Sequence, residues 1–203
     1  MKLLTTAVSL VARSNCAGCG SPGGVLCPRC EGALLPAPQP ASVPGSAFAV
    51  AAWLYAAAAR NLVLELKVGG RRAAACPLGA ALAQAIQRLG SCAEVVTWVP
   101  GRRRDLRNRG FDHAELLARV VADLLGLDAR PLLERRGHRP DQAGLGAAER
   151  RANIESAFAA RKSTSSVLLI DDLVTTGATA RACTAALRKG GAARVEVGAA
   201  CSV

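Results

Sequence analysis

Residues 167–179 read VLLIDDLVTTGAT. The first four, residues 167–170, form the continuous apolar run expected of a strand buried on both faces. Asp171 and Asp172 follow, then a loop of Thr and Gly, then an Ala-rich helix over residues 178–189 closed by Gly190 and Gly191. Strand, loop and helix in that order put the acids and the loop at the carboxyl edge of a sheet, where open α/β sheets bind ligands. Gly177 lets the backbone curl closely around an anion. The amides of residues 173–179, Val174 and Ala178 included, join the hydroxyls of Thr175, Thr176 and Thr179 and the helix N-terminus in a phosphate cradle. Two carboxylates beside it repel a second phosphate but accept hydrogen bonds from vicinal hydroxyls. A sugar phosphate satisfies both halves, with both acids expected at the strand end, facing ligand and not core. An ordinary strand–turn–helix leaves the paired acids and the Thr-Thr-Gly-x-Thr loop unexplained. Neither a GxGxxG nor a Walker A sequence occurs, which disfavours dinucleotide and P-loop ATP sites.

Outward from this stretch the chain alternates between strand and helix patterns. Leu78, Leu82, Ala85, Ile86 and Leu89 share one helical face. EVVTWV (94–99) is a short β-rich run stopped by Pro100. Residues 113–125 carry an apolar stripe of Leu116, Leu117, Val120, Val121, Leu124 and Leu125, with Glu115, Arg119 and Asp123 opposite and Gly126 as the stop. RVEVGAA (194–200) reads as a last strand. Strands separated by helices imply right-handed crossovers, hence an α/β fold with a mostly parallel sheet flanked by helices.

Composition bounds the reading. A chain of 203 residues supports one domain and a small appendage, and 51% hydrophobic residues mark it as a folding sequence. No run of 18 apolar residues exists; the longest, residues 47–59, is too short to span a bilayer. The N-terminus faintly imitates a signal peptide, but Arg13 interrupts it without a clear cleavage site, so a cytoplasmic protein without membrane insertion is expected. The net charge of +11 comes mostly from Arg. Compositional bias explains it, and so does an anionic partner, either nucleic acid or a polyphosphorylated substrate.

Half of the eight cysteines lie in residues 1–35, as Cys16-x-x-Cys19 and Cys27-x-x-Cys30, among turn-forming Gly and Pro. Four thiolates at this spacing close a tetrahedral structural zinc site, and the metal supplies folding energy the short segment lacks. Paired disulfides are the rival and need an oxidising compartment. Cys76, Cys92, Cys183 and Cys201 read as small core residues. The Pro- and Ser-rich residues 36–46 read as a linker and residues 47–203 as the main domain.

At this point a family resemblance becomes visible. Residues 167–179 resemble, at all thirteen positions, the phosphoribosyl pyrophosphate (PRPP) signature of type I phosphoribosyltransferases. The wider chain is similar to the ComF family of competence-associated proteins, in the four N-terminal cysteines, Leu66-Lys67 with Gly70, and Arg109-Gly110-Phe111. Gln142, Arg150-x-x-Asn153 and Phe158 continue the likeness. One departure stands out: the family usually has Asn-Gln where this chain has Asp112-His113.

The resemblance implies a type I phosphoribosyltransferase fold with an N-terminal zinc module. It implies binding of Mg2+–PRPP and transfer of ribose 5-phosphate to a nitrogen nucleophile, with Asp171 and Asp172 on the ribose. It further implies a pyrophosphate loop spanning residues 100–111, where Arg102, Arg103, Arg104, Arg107, Arg109 and Gly110 precede the helix at 113. A hood over residues 134–155, with Arg135, Arg139, Gln142, Arg150 and Asn153, closes over the activated sugar. A solvated basic loop and a nucleic-acid contact are the other readings of those arginines. His113 and His138 read as helix-capping or surface residues. The rival function is a non-catalytic adaptor that senses PRPP or a nucleotide and binds single-stranded DNA, or proteins of DNA uptake or repair. Oligomers are compatible with either.

Overall fold

The computed structural model describes residues 15–38, 43–136 and 157–203. In chain order its elements are α1 (Pro28–Glu31), β1 (Ala49–Leu54), α2 (Ala57–Lys67), a 3-10 turn (Arg72–Ala74), α3 (Ala75–Arg88), β2 (Val95–Trp98), α4 (Arg103–Arg109) and α5 (His113–Leu125). There follow β3 (Asp128–Ala129), β4 (Leu133–Arg135), β5 (Phe158–Ala160), β6 (Ser166–Val174), α6 (Ala178–Lys189) and β7 (Arg194–Ser202). Five strands form one parallel sheet in the order β1-β7-β6-β2-β3, and β4 with β5 makes a separate antiparallel ribbon. Hence the α/β architecture expected of the alternating pattern.

Strand alternation sorts the core. Leu168 and Ile170 face one side, packing with Leu78, Leu82 and Ile86 of α3 and Leu117 and Val121 of α5. Val167 and Leu169 face the other, with Ala180, Cys183 and Leu187 of α6 and Leu133 and Phe158 of the ribbon. Leu168, Leu169 and Ile170 are fully buried, and each such side chain contributes about 1.5–3 kcal/mol. Helices α3 and α5 approach closely because Gly79 carries no side chain: a Cβ there would stand 2.5 Å from Val120 Cγ1.

Helix α5 spans the expected residues. Asp112 caps it by accepting from the Ala114 amide at 3.0 Å, and Gly126, at φ 69°, ends it. Its buried face is centred on Ala114, Leu117, Ala118, Val121 and Ala122, whereas Leu124 is exposed. Small alanines fill the close contact and turn the expected stripe away from Leu124. The arginine stretch is also more ordered than a loop: residues 103–109 form α4, terminated by left-handed Gly110.

The cysteine segment caps the open edge of the sheet. Leu54 N donates to Leu35 O at 2.9 Å, and Ala37 N to Ala52 O at 3.2 Å, so chain following the module covers edge strand β1. Ala17, Val25, Leu26 and Leu34 pack on the main core. Cys183 and Cys201 are buried, as expected of small core residues, but Cys76 and Cys92 are exposed. Around Cys76, α3 buries Ala75 and Leu78 and leaves the thiol outside, and Cys92 lies in the exposed segment before β2. Among the described residues no helix is long and apolar enough to cross a membrane.

Candidate functional site

The strand order creates the site. From β2 the chain moves outward to β3, whereas from β6 it moves the opposite way to β7, so the carboxyl ends of neighbouring β2 and β6 flank a topological switch point. Onto that crevice open the segment after β2, beginning Pro100-Gly101, and the loop after β6.

Residues 171 and 173–180 line a small polar concavity. Gly177 takes φ 70° and ψ 4° at the N-cap of α6, a left-handed conformation that favours glycine. Thr175 and Thr176 are exposed, and the first turn of α6 has no side-chain cap. Its first amides therefore have no side-chain acceptor from the N-cap residue. Val174, Thr175, Thr176, Gly177, Ala178 and Thr179 therefore come together as one loop.

The acids behave differently from a simple strand-end pair. Strand β6 continues to Val174, so Asp171 and Asp172 lie within it, both buried. Alternation sends them to opposite faces. Asp172 points to the α3–α5 side, where Lys67 Nζ donates to Oδ2 at 2.8 Å and His113 Nε2 stands 3.4 Å away. Asp171 Oδ1 accepts from the Asp172 amide at 2.9 Å. Burial alone opposes ionisation of both. His113 and Lys67 overcome it at Asp172 and hold that carboxyl well below the usual range. Burial and the Asp172 charge push Asp171 well above it. The two acids are thus shifted in opposite directions.

Arg109 does not reach into open crevice. Its Nη1 contacts His113 Nδ1 at 2.7 Å and its Nε donates to Asp105 O at 3.2 Å. Arg102, Arg103, Arg104 and Arg107 are exposed, as is Gly110. Asp112 Oδ2 accepts from the Gly101 amide at 3.0 Å, which ties the start of this segment to the head of α5. Arg135 donates from Nε to Pro100 O at 3.1 Å and lies over the Phe158 ring at 4.6 Å. It fastens the base of the β4–β5 ribbon to the segment after β2. Gln142, Arg150 and Asn153 lie outside the described residues, as do His138 and Arg139.

Sequence reasoning missed two participants. His113 was expected at a cap or surface and is instead 6% exposed, between Arg109 and Asp172. The signal available was the unusual Asp112-His113 pair. Lys67 was visible only as part of a resembling fragment, because nothing local links α2 to β6, 105 residues away.

The four N-terminal cysteines converge: the Sγ atoms of Cys16, Cys19, Cys27 and Cys30 lie within 4.8 Å of one another. Cys19 and Cys27 are 3.7 Å apart, close to the roughly 3.8 Å edge of a zinc–thiolate tetrahedron with Zn–S near 2.3 Å. Amides of Gly18 and Cys27 both donate to Cys16 Sγ at 3.3 Å. Burial opposes a thiolate at Cys16, yet backbone donors from Cys27, Cys19 and Gly18 outweigh it and bring the thiol down to about 6. The donor set fits zinc.

The chain is similar to Competence protein F of Haemophilus influenzae, 33% identical over 95 residues that cover 44% of this chain and 42% of that protein. The chain thus spans less than half the length of the curated relative it matches. No family model matches. Among solved structures it is similar to the glutamine PRPP amidotransferase of B. subtilis, with 22% identity and a TM-score of 0.46, covering 68% of this chain and 30% of that one. It is also similar to an adenine phosphoribosyltransferase, with 17% identity and a TM-score of 0.40, covering 66% and 71%. The fold itself is a five-stranded parallel α/β sheet flanked by helices, with a four-cysteine N-terminal module.

Proposed function

We propose that this protein binds Mg2+–PRPP in the crevice between β2 and β6 and transfers ribose 5-phosphate to a nitrogen nucleophile, releasing pyrophosphate. The single observation that carries the reading is the loop after β6, in which left-handed Gly177 opens the N-terminus of α6 beside the two buried acids. The 5-phosphate sits on the amides and hydroxyls of residues 174–179. Asp172, the acid held on the ionised side by Lys67 and His113, accepts from a ribose hydroxyl; Asp171 shares the sugar edge from the other face of the strand. Mg2+, when bound with the diphosphate, would supply charge neutralisation for the leaving group.

In the reaction the bond from C1 to the diphosphate oxygen breaks and its electron pair departs with the diphosphate. Nitrogen bonds to C1 and loses a proton to solvent. The sugar passes through a cationic state, so stabilising the departing charge outweighs moving protons. Arg102 and its exposed neighbours on α4 supply positive potential at that end. Arg135 latches the β4–β5 ribbon to the segment after β2. The cysteines hold a structural zinc, residues 1–35 forming the module, 36–46 the connection and 47–203 the transferase domain of a cytoplasmic protein.

Exposed Arg102, Arg103, Arg104 and Arg107 favour a second reading, an adaptor that binds single-stranded DNA in uptake or repair. Stacking support for it is thin, because Trp98 and Phe158 are buried and Arg72 covers Phe111. Pyrophosphate release from Mg2+–PRPP across a panel of bases and amines separates the two. Release with any acceptor establishes the transferase; saturable PRPP binding without release from any acceptor favours the adaptor.

A further inference from the structure

We propose that His113 is a positioning residue for Asp172, a bridge that fixes this carboxylate and links it to Arg109 on α4. The inference rests on the phosphoribosyl reading of the crevice, and the contacts that carry it are present in the free protein. An arginine guanidinium has donors only. At 2.7 Å from Arg109 Nη1, His113 Nδ1 must therefore offer its lone pair, which leaves the proton on Nε2. Nε2 is the atom aimed at Asp172 Oδ2, 3.4 Å away, a separation that shortens readily when a ligand settles.

The charged groups around the imidazole are Arg109 from α4, Asp112 from its own turn, Asp172 from β6 and, beyond that carboxylate, Lys67 from α2. Asp112 does not compete for the Nε2 proton: its oxygens take the Gly101 and Ala114 amides and its nearest approach is to Nδ1, at 3.9 Å. Lys67 and His113 thus hold Asp172 from two elements, and only the histidine continues the chain to α4. Loss of the bridge frees both the acid that meets the ribose and the arginine nearest the head of α5.

A glutamine at 113 can reproduce both jobs, accepting from Arg109 through Oε1 and donating to Asp172 through its amide. Leucine fills similar volume and does neither. The test uses the full zinc-loaded chain. Long-range proton–nitrogen NMR of the ligand-free protein should show His113 protonated on Nε2 alone, with its signals moved by Asp172→Asn. Mg2+–PRPP affinity should fall about tenfold or more in His113→Leu and stay within about threefold of the parent in His113→Gln. Nδ1 protonation, or equal losses in the Gln and Leu variants, overturns the bridge, as does a Leu variant that binds like the parent. If the parent itself binds no PRPP, the phosphoribosyl reading falls, and the ligand-free tautomer and its response to Asp172→Asn decide the bridge on their own.

Discussion

Lys67 Nζ lies 2.8 Å from Asp172 Oδ2, so the last turn of α2 is pinned to the middle of the sheet by an ion pair whose acid is buried and whose lysine is partly open to solvent. The pair makes Asp172 a stabilising ion, in addition to the ligand role proposed for it. Replacing it with Asn should lower stability by about 1–3 kcal/mol, read as a shifted denaturation midpoint.

The two acids give opposite pH signatures. Asp172 is held below its unfolded value, so its contribution is present above about pH 4 and lost as the pH falls below that. Asp171 is held above it, so its contribution is complete below about pH 4 and declines as the pH rises from there. Asp171→Asn should therefore gain stability relative to the parent between pH 4 and 7, whereas Asp172→Asn should lose it. Denaturation curves across that range check both signs.

Much of this was legible in residues 167–179. Four apolar residues before two acids and a Thr-Gly loop imply strand, crevice and helix, because burial and anion binding each demand a local pattern. The cysteine spacing was legible for the same reason. The burial of the acids was not, because it depends on β6 running on to Val174 between β2 and β7. Lys67 and His113 reach Asp172 from elements 105 and 59 residues away, a relation that no local periodicity encodes. Leu124 shows the converse, an apolar residue on the expected stripe that packing leaves outside.

The cysteine module should hold about one zinc per chain, and chelation should release it along with protection of the thiols. Loss of the metal should also loosen edge strand β1, whose Ala52 and Leu54 are bonded to the chain just after the module. Metal analysis with hydrogen exchange at the donating amides, Leu54 and Ala37, checks this; full protection in metal-free protein would oppose it.

At Gly177 the left-handed backbone and not lack of space forbids a side chain, since the nearest atom to an added Cβ is Val43 Cγ2 at 3.9 Å. Gly177→Val should cost about 1–2 kcal/mol in stability and weaken PRPP binding by distorting the cradle. Thermal unfolding and titration on the same sample measure the two effects together.

The central claim, that the loop after β6 holds the 5-phosphate of PRPP, is tested most directly where the fold is not at stake. Thr176 is exposed, so Thr176→Glu puts an anion at the mouth of the cradle without disturbing the core. Calorimetric titration of Mg2+–PRPP into the parent should show one saturable site that ribose 5-phosphate competes for, and Thr176→Glu should abolish the heat at an unchanged melting temperature. A folded Thr176→Glu variant that binds PRPP as tightly as the parent, or a parent that takes up no PRPP, would contradict the account.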